Sequence, residues 1–261
     1  MSQSYIIHGG EQGASRLSVL AQAMAEVTGQ LLDRVGIPPG GRALDVGCGT
    51  GSVTGELARR VGPAGAAVGI DLDPEAIRIA RTGAPANAAF HVGDLGMAER
   101  LGPFDVVYAR FLLSHLTDPA AALATFRRAL RPGGRVVVED VDFAAHICWP
   151  PRPAFDRYVA WYQAAAAARG ADPAIGPKLP SLLREAGFEA IDIRVVQPAG
   201  LQGPPKAMAA LTLAAMSDAL AQIGVAPEAV AADVADLEQA RDDPTVLLSL
   251  PRVFQCWGRR E

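Results

Sequence analysis

Three glycines, Gly47, Gly49 and Gly51, alternate with Cys48 and Thr50 directly after the run Ala43-Leu44-Asp45-Val46. A glycine backbone turns readily at positive φ and lets a ligand lie against it, and a helix that starts there aims its free N–H groups at that ligand. The residues therefore suit binding of a small polar molecule. Asp71 stands 24 positions after Gly47, at the end of the apolar run Ala67-Val68-Gly69-Ile70. That is where a carboxylate meets the hydroxyls of a ribose. A dinucleotide fingerprint places its third glycine three residues after the second. Here Gly51 follows Gly49 by two, and Asp45 precedes the turn, so the pyrophosphate reading weakens.

The elements that position these groups follow from periodicity. Ala43, Leu44 and Val46, bounded by Gly40-Gly41 and Gly47, read as a short central strand buried on both faces. Val53, Leu57 and Val61 form one apolar stripe of a helix over Ser52 to Val61. A helix from Pro74 to Ala80 has Asp73 as N-cap and proline at its first position. Strands are expected at Ala88 to Val92, running into Gly93-Asp94-Leu95, and at Asp105 to Ala109, running into Arg110 and His115. A helix over Pro119 to Leu130 ends at Pro132-Gly133-Gly134, and Arg135 to Val138 makes the fifth strand, which delivers Glu139, Asp140 and Asp142 at its carboxyl end. A sixth strand is expected at Ala190 to Val196 and a seventh at Pro251 to Trp257. Before this core, Leu17, Leu20, Met24, Val27, Leu31 and Val35 recur at helical spacing within Ser15 to Val35, after a turn at His8-Gly9-Gly10. In open α/β sheets ligands sit beyond the carboxyl ends of the strands, which brings Ala109, Arg110 and His115 near the site.

The motifs LDVGCGTG at 44–51, GIDLDP at 69–74, VGDL at 92–95, FDVVYARFLLSHL at 104–116 and LRPGGRVVVED at 130–140 fall in one order and spacing. In these the chain resembles the class I S-adenosylmethionine-dependent methyltransferases, in the branch that includes the ubiquinone/menaquinone-type and many natural-product enzymes. The likeness covers Arg42 to Asp142; beyond that it extends to architecture alone. It implies an α/β, Rossmann-like seven-stranded and mostly parallel sheet, its last strand antiparallel and inserted beside the sixth, with helices on both faces. The cofactor it implies is S-adenosyl-L-methionine, with S-adenosyl-L-homocysteine as product. It places Asp45, Gly47, Cys48, Gly49, Gly51, Asp71, Leu72, Ala109, Arg110 and His115 around the cofactor. Gly93, Asp94 and Leu95 would take the adenine, the Asp94 carboxylate accepting from its amine, while Tyr5 and Arg16 on an N-terminal cap would reach the methionine carboxylate.

The same likeness divides the chain, as a single domain, into a helical cap at 1–36, a cofactor-binding core at 37–142, lid insertions at 143–180 and 200–245, and segments 181–199 and 246–261 that complete the sheet. The lid carries Trp149, Phe155, Tyr158, Trp161 and Tyr162 and is where the family builds acceptor pockets. Methyl transfer from a sulfonium needs nucleophile, methyl carbon and sulfur in line, so positioning supplies much of the acceleration. A hydroxyl or acidic-carbon acceptor also needs a base. His146, His115 and Asp142 are the candidates, with His146 preferred because His115 sits in a Ser-His-Leu pattern suited to a structural or cofactor-side role. Amino-methyltransferases acting on nucleobases or glutamine carry an Asn/Asp-Pro-Pro-Tyr/Phe turn where this chain has Tyr108-Ala109-Arg110-Phe111, which disfavours those substrates.

At 261 residues, 50% hydrophobic and 20% charged, the composition is globular. No apolar run reaches the ~18 residues of a membrane span, and Met1-Ser2-Gln3-Ser4-Tyr5 has no signal-peptide character, so a cytoplasmic protein is expected. Net charge −4 with scattered Lys and Arg leaves no polyanion footprint. The expected partner is a small molecule, with no nucleic acid and no membrane; a homodimer is left open. Cys48, Cys148 and Cys256 lack C-x-x-C spacing, and Glu139, Asp140 and Asp142 lack a clustered histidine or further oxygen ligands, so neither disulfide nor metal is expected. Two other functions stay open: an adenosylmethionine-binding protein catalysing something other than methyl transfer, and an NAD(P)-dependent oxidoreductase on the same topology.

Overall fold

A computed structural model describes residues 10–261, and the side chains from residue 13 onward. Tyr5 and the expected turn at His8-Gly9 lie outside the described residues; Gly10 already belongs to the first helix, α1 (Gly10–Val35). In chain order there follow β1 (Arg42–Val46), α2 (Ser52–Val61), β2 (Ala66–Asp71), α3 (Pro74–Ala80), β3 (Ala88–Val92), α4 (Gly96–Leu101), β4 (Phe104–Arg110), α5 (Pro119–Ala129) and β5 (Leu130–Asp142). Then come β6 (Cys148–Trp149), α6 (Pro153–Ala167), α7 (Leu179–Glu185), β7 (Glu189–Val196), β8 (Ala199–Gly200), α8 (Pro204–Ala215), α9 (Ser217–Gln222), α10 (Pro227–Asp242), β9 (Leu247–Ser249) and β10 (Arg252–Arg259).

Seven strands form one sheet in the order β3-β2-β1-β4-β5-β10-β7. The pairs from β3 to β5 are parallel, and β10 runs antiparallel to both β5 and β7, as the expected topology requires. Strand alternation divides the core between the two faces. Ala43, Val106, Tyr108 and Val137 pack with Leu31 and Leu32 of α1 and with Val53, Leu57 and Val61 of α2. Leu44, Val46, Val107, Ala109 and Val138 pack with Leu123 and Phe126 of α5 and Leu183 of α7. Asp73 caps α3 by accepting from the Glu75 N–H at 2.8 Å, the role its position before Pro74 predicts.

The segment after α5 differs from expectation. The Pro132-Gly133-Gly134 stretch is part of β5 and not a separate turn, because Leu130 already pairs with Phe104 and the backbones of Gly133 and Gly134 exchange hydrogen bonds with Arg260. The ladder then shifts register between Phe104 and Val106, which absorbs the extra residues.

A second, three-stranded sheet, β6-β9-β8, was not expected. It ties the two inserted helical segments together at their roots, with Cys148 paired to Leu248 and Gly200 paired to the same residue. Above it, Phe155, Tyr158 and Tyr162 of α6, Met208 and Leu213 of α8, Leu220 of α9 and Leu237 of α10 form a separate apolar core that also takes in Met24 of α1. No helix among the described residues is long and apolar enough to cross a membrane, and among the described residues no three His, Cys, Asp or Glu side chains converge as a metal site.

Candidate active site

One cavity of about 860 Å³ runs from the glycine turn, along the carboxyl ends of β1, β2 and β4, to the underside of α6 and α8. This lies near the upper end of the ~300–1,000 Å³ usual for small-molecule sites.

At its floor the turn after β1 is built by positive-φ glycines. Gly49 has φ 51° and a Cβ there would stand 3.1 Å from the Leu17 side chain of α1. The Gly49 N–H donates to Asp71 Oδ2 at 2.8 Å, and the Asp73 N–H to Asp71 Oδ1 at 2.9 Å. Burial pushes the Asp71 carboxyl up while these two backbone donors pull it back. Each carboxylate oxygen keeps a second lone-pair site that can accept from a ligand hydroxyl.

Asp45 is buried at the head of the same wall. It accepts from Thr54 Oγ1 at 2.7 Å, and burial raises its pKa to about 6 against the opposing pull of Thr54 and Arg110. Arg110, at the end of β4, reaches Thr28 of α1 at 3.2 Å and Ser52 of α2 at 3.4 Å, so it links the cap helix to the start of α2. The next residue, Phe111, holds φ 51° without being glycine and donates its N–H to the Glu139 carbonyl at 2.8 Å. Such a conformation costs ~1–3 kcal/mol and persists only where the surroundings impose it. The Phe111 ring lines the cavity.

Of the residues singled out from sequence, Arg16, Asp45, Gly47, Cys48, Gly49, Asp71, Leu72, Gly93, Asp94, Leu95, Arg110, His115 and His146 all line this cavity. Leu72 is notable for being 64% exposed there. Three others do not reach it. Gly51 turns its α-carbon toward β3, where a Cβ would meet the Phe90 ring at 2.7 Å; its lack of a side chain serves packing. Ala109 is fully buried among the side chains between the sheet and α5, because strand alternation points it to that face. Asp142 faces Arg252 across the β5–β10 pair at 3.9 Å, and its neighbour Val141 takes the place on the cavity wall. The remaining acids of that strand end are also occupied. Asp140 accepts from the Ser114 and Val141 N–H groups at 3.0 and 2.9 Å, and Glu139 is held by Thr28, Tyr108 and Gln255.

The two histidines share the cavity in different settings. His115, in a single helical turn after β4, is pushed down to about 4 by burial and then by the nearby Arg16 guanidinium. His146 follows β5. Its Nδ1 stands 2.6 Å from the Phe143 carbonyl, which can only accept, so Nδ1 carries the proton and Nε2 is the bare nitrogen. Burial lowers its pKa to about 4, opposed by that hydrogen bond.

The far wall is aromatic. Phe143 stacks on Tyr162 with centroids 3.5 Å apart and meets His146 and Tyr158 edge-on at 4.7 and 5.6 Å. Of the expected lid aromatics, Tyr158 and Tyr162 line the cavity. Phe155 and Trp161 pack in the lid's own core, and Trp149 is 66% exposed. Sequence reading missed Thr212, Ser249 and Leu250 on this wall; they carry no motif, and only the packing of α8 and β9 brings them in.

Residues 20–193 match the family described as a methyltransferase domain. Among curated proteins, the O-methyltransferase cnsE of Penicillium expansum is 36% identical over 66% of this chain and 62% of its own length. The ubiquinone/menaquinone biosynthesis C-methyltransferase UbiE of Burkholderia mallei is 35% identical over 47% of this chain and 51% of its own. The chain thus spans about half to three fifths of the length of these relatives. Among solved structures, phosphoethanolamine N-methyltransferase 2 of Haemonchus contortus, in complex with phosphomonomethylethanolamine and S-adenosylhomocysteine, shares the fold. Its TM-score is 0.54 at 17% identity, covering 90% of this chain and 53% of that one.

Proposed function

This chain belongs to the class I S-adenosylmethionine-dependent methyltransferases, and from that premise we propose that it transfers a methyl group from S-adenosylmethionine to a small, largely apolar acceptor held beneath the inserted helices. The observation that carries the proposal is the continuity of the cavity, which joins the strand ends bearing Gly49 and Asp71 to the wall of Phe143, Tyr158, Tyr162 and Met208 without a break. The acceptor atom is oxygen, carbon or amine nitrogen; the relatives' names include an O-methyltransferase and a C-methyltransferase and do not choose among them.

S-adenosylmethionine is the family's cofactor, and the residues here fit it. Asp71 has acceptor capacity for ribose hydroxyls beyond its two backbone donors. Leu72, 64% exposed on the cavity wall beside Gly93, Asp94 and Leu95, is an apolar surface that an adenine ring would cover. Arg16, buried on the same wall, supplies a cation for the methionine carboxylate, and Asp45, Cys48 and Arg110 border that end. When bound, the cofactor supplies a methyl group activated on a sulfonium sulfur. The protein's own part is to hold the acceptor in line, to exclude water under the lid and to take up a proton where the acceptor has one. In this reading the chain is one domain: a helical cap at 1–36, the cofactor core at 37–142, lids at 143–180 and 200–245, and the sheet completed by 181–199 and 246–261.

The test pairs binding with turnover. Isothermal calorimetry should show S-adenosylhomocysteine binding to the wild type and, within about twofold, to Met208→Trp, which fills the acceptor end only. Formation of S-adenosylhomocysteine from S-adenosylmethionine with small aromatic acceptors should be lost in that variant. Absence of binding in the wild type, or methylation of peptide or nucleic acid that Met208→Trp leaves unchanged, would overturn the reading.

A further inference from the structure

The lining of the cavity divides sharply by charge. Asp45, Asp71, Asp73, Asp94 and Arg110 all belong to the glycine-turn and strand-end side. Arg16 lies where the two sides meet, close enough to bias both His115 and Tyr158 electrostatically. Beyond it, among the described residues, the wall consists of Val141, Phe143, His146, Tyr158 and Tyr162, the α8 residues Met208, Ala209 and Thr212, and Ser249 to Pro251. None of these described residues carries a carboxylate.

This lining selects against an ammonium acceptor. A cation moved from water to an apolar wall must be paired or it neutralises, and among the described residues the one charge within reach, Arg16, has the wrong sign. A flat, neutral ring suits the wall, since Phe143, Tyr158 and Tyr162 offer aromatic faces and edges and Met208 offers an adaptable thioether.

Within that wall His146 is the one group set to take a proton. The Phe143 carbonyl, 2.6 Å from Nδ1, fixes the tautomer, and the ring is held between Phe143, Phe155 and Tyr158 at centroid distances of 4.7, 5.6 and 5.7 Å. Among the described residues no hydrogen bond engages Nε2 and no charged side chain acts on the ring; burial and the Phe143 carbonyl are the influences on it. The same carbonyl that orients the neutral ring also stabilises the imidazolium that forms when Nε2 is protonated.

We propose that this transferase methylates the hydroxyl of an aromatic or enolic acceptor, with His146 Nε2 as the catalytic base, and that alkylamines, which are cations at neutral pH, are not its substrates. The inference rests on the transferase reading above. The hydroxyl proton passes to Nε2 as the acceptor oxygen forms its bond to the methyl carbon. The carbon–sulfur bond breaks with its electron pair remaining on sulfur, so the sulfonium becomes a neutral thioether. The proton later leaves the imidazolium to solvent.

Two measurements test this, one without turnover. In 15N-histidine-labelled protein at neutral pH, the resonances missing from His146→Gln should show a protonated Nδ1 and a bare Nε2 in the wild type; a ring protonated at Nε2 and bare at Nδ1 overturns the proposal. Turnover is then followed as S-adenosylhomocysteine formed with the matched pair 1-naphthol and 1-(aminomethyl)naphthalene, the amine being a cation at neutral pH. Product from the naphthol alone is expected, with kcat falling roughly 100-fold or more in His146→Gln and His146→Ala while calorimetric affinity for S-adenosylhomocysteine stays within twofold. The loss should shrink for 4-nitrophenol, whose proton leaves without help. Methylation of the amine, activity undiminished in both variants, or no product from either hydroxyl by a protein that binds S-adenosylhomocysteine overturns the base and the acceptor class. A protein that binds neither S-adenosylmethionine nor S-adenosylhomocysteine overturns the transferase reading with it.

Discussion

At the scale of single residues, the cavity shows one residue type in several settings. Asp71 and Asp140 both sit at strand ends and both accept two backbone N–H groups, yet Asp71 lines the cavity and Asp140 holds the Ser114 turn to β5. Asp71→Ala should therefore weaken S-adenosylhomocysteine binding by ~1–3 kcal/mol, the cost of leaving buried hydroxyls without an acceptor. Unchanged calorimetric affinity in the folded variant, or tighter binding of NAD than of adenosylmethionine, would remove Asp71 from the site. Asp140 lends itself to a pH test. Burial raises its pKa from 3.8 to about 6, so between these values the folded state binds the proton more tightly than the unfolded chain does. Stability from this group is then greatest below about pH 4 and declines as pH rises to 6. The difference in unfolding free energy between wild type and Asp140→Asn should accordingly fall, by up to about 3 kcal/mol, as urea titrations move from pH 4 to pH 6. A flat difference would show that Asp140 does not titrate in that window.

At the scale of elements, the question is what holds α1 over the cavity. Its contacts with α2, α3 and α8 are apolar in part, but a buried polar cluster fixes its middle turn. Glu139 of β5 accepts from Thr28 Oγ1 of α1 at 2.8 Å, from Gln255 Nε2 of β10 at 2.6 Å and from the Tyr108 hydroxyl of β4. Gln255 also donates to the Val27 carbonyl at 3.1 Å, and Arg110 to Thr28 at 3.2 Å. Three strands and the cap helix thus converge on one carboxylate. Removing it strands several buried donors at once, so Glu139→Ala should cost roughly 3–5 kcal/mol in chemical denaturation and speed amide exchange in α1 more than in α5. Glu139→Gln keeps the shape but turns an amide N–H₂ toward donors, so it should recover only a fraction. Equal exchange in α1 and α5 would mean that the cluster does not anchor the cap. From sequence, Glu139 read as one of three acids at a strand end; its partners lie 31, 111 and 116 positions away, beyond the reach of any local pattern.

For the whole molecule, a ligand bound in a cavity shared by the cap, the sheet and the lid must stabilise all three. S-adenosylhomocysteine at about 100 times its Kd should add ~2.7 kcal/mol to the unfolding free energy, in one concentration-dependent calorimetric transition. A lid transition that stays independent of ligand would place the lid outside the site. The amino-acid sequence by itself determined the parts of this protein that depend on near neighbours. The strand into Gly47 and Gly49, the Asp73-Pro74 start of α3 and the apolar stripe of α1 all follow from spacing and turn chemistry within a few residues. That was enough to place Asp71, Asp94 and Arg110 on one edge, because strand ends in such a sheet share a side. The tertiary structure alone decided that Gly51 serves Phe90, that strand alternation turns Ala109 away while Asp142 pairs with Arg252, and that Tyr158 and Tyr162 face the cavity while Trp149 faces solvent. The physical reason is that a side chain's direction is set by the packing around its backbone, and in the inserted segments that packing joins β6, β8 and β9, short strands distant in sequence and carrying no pattern of their own.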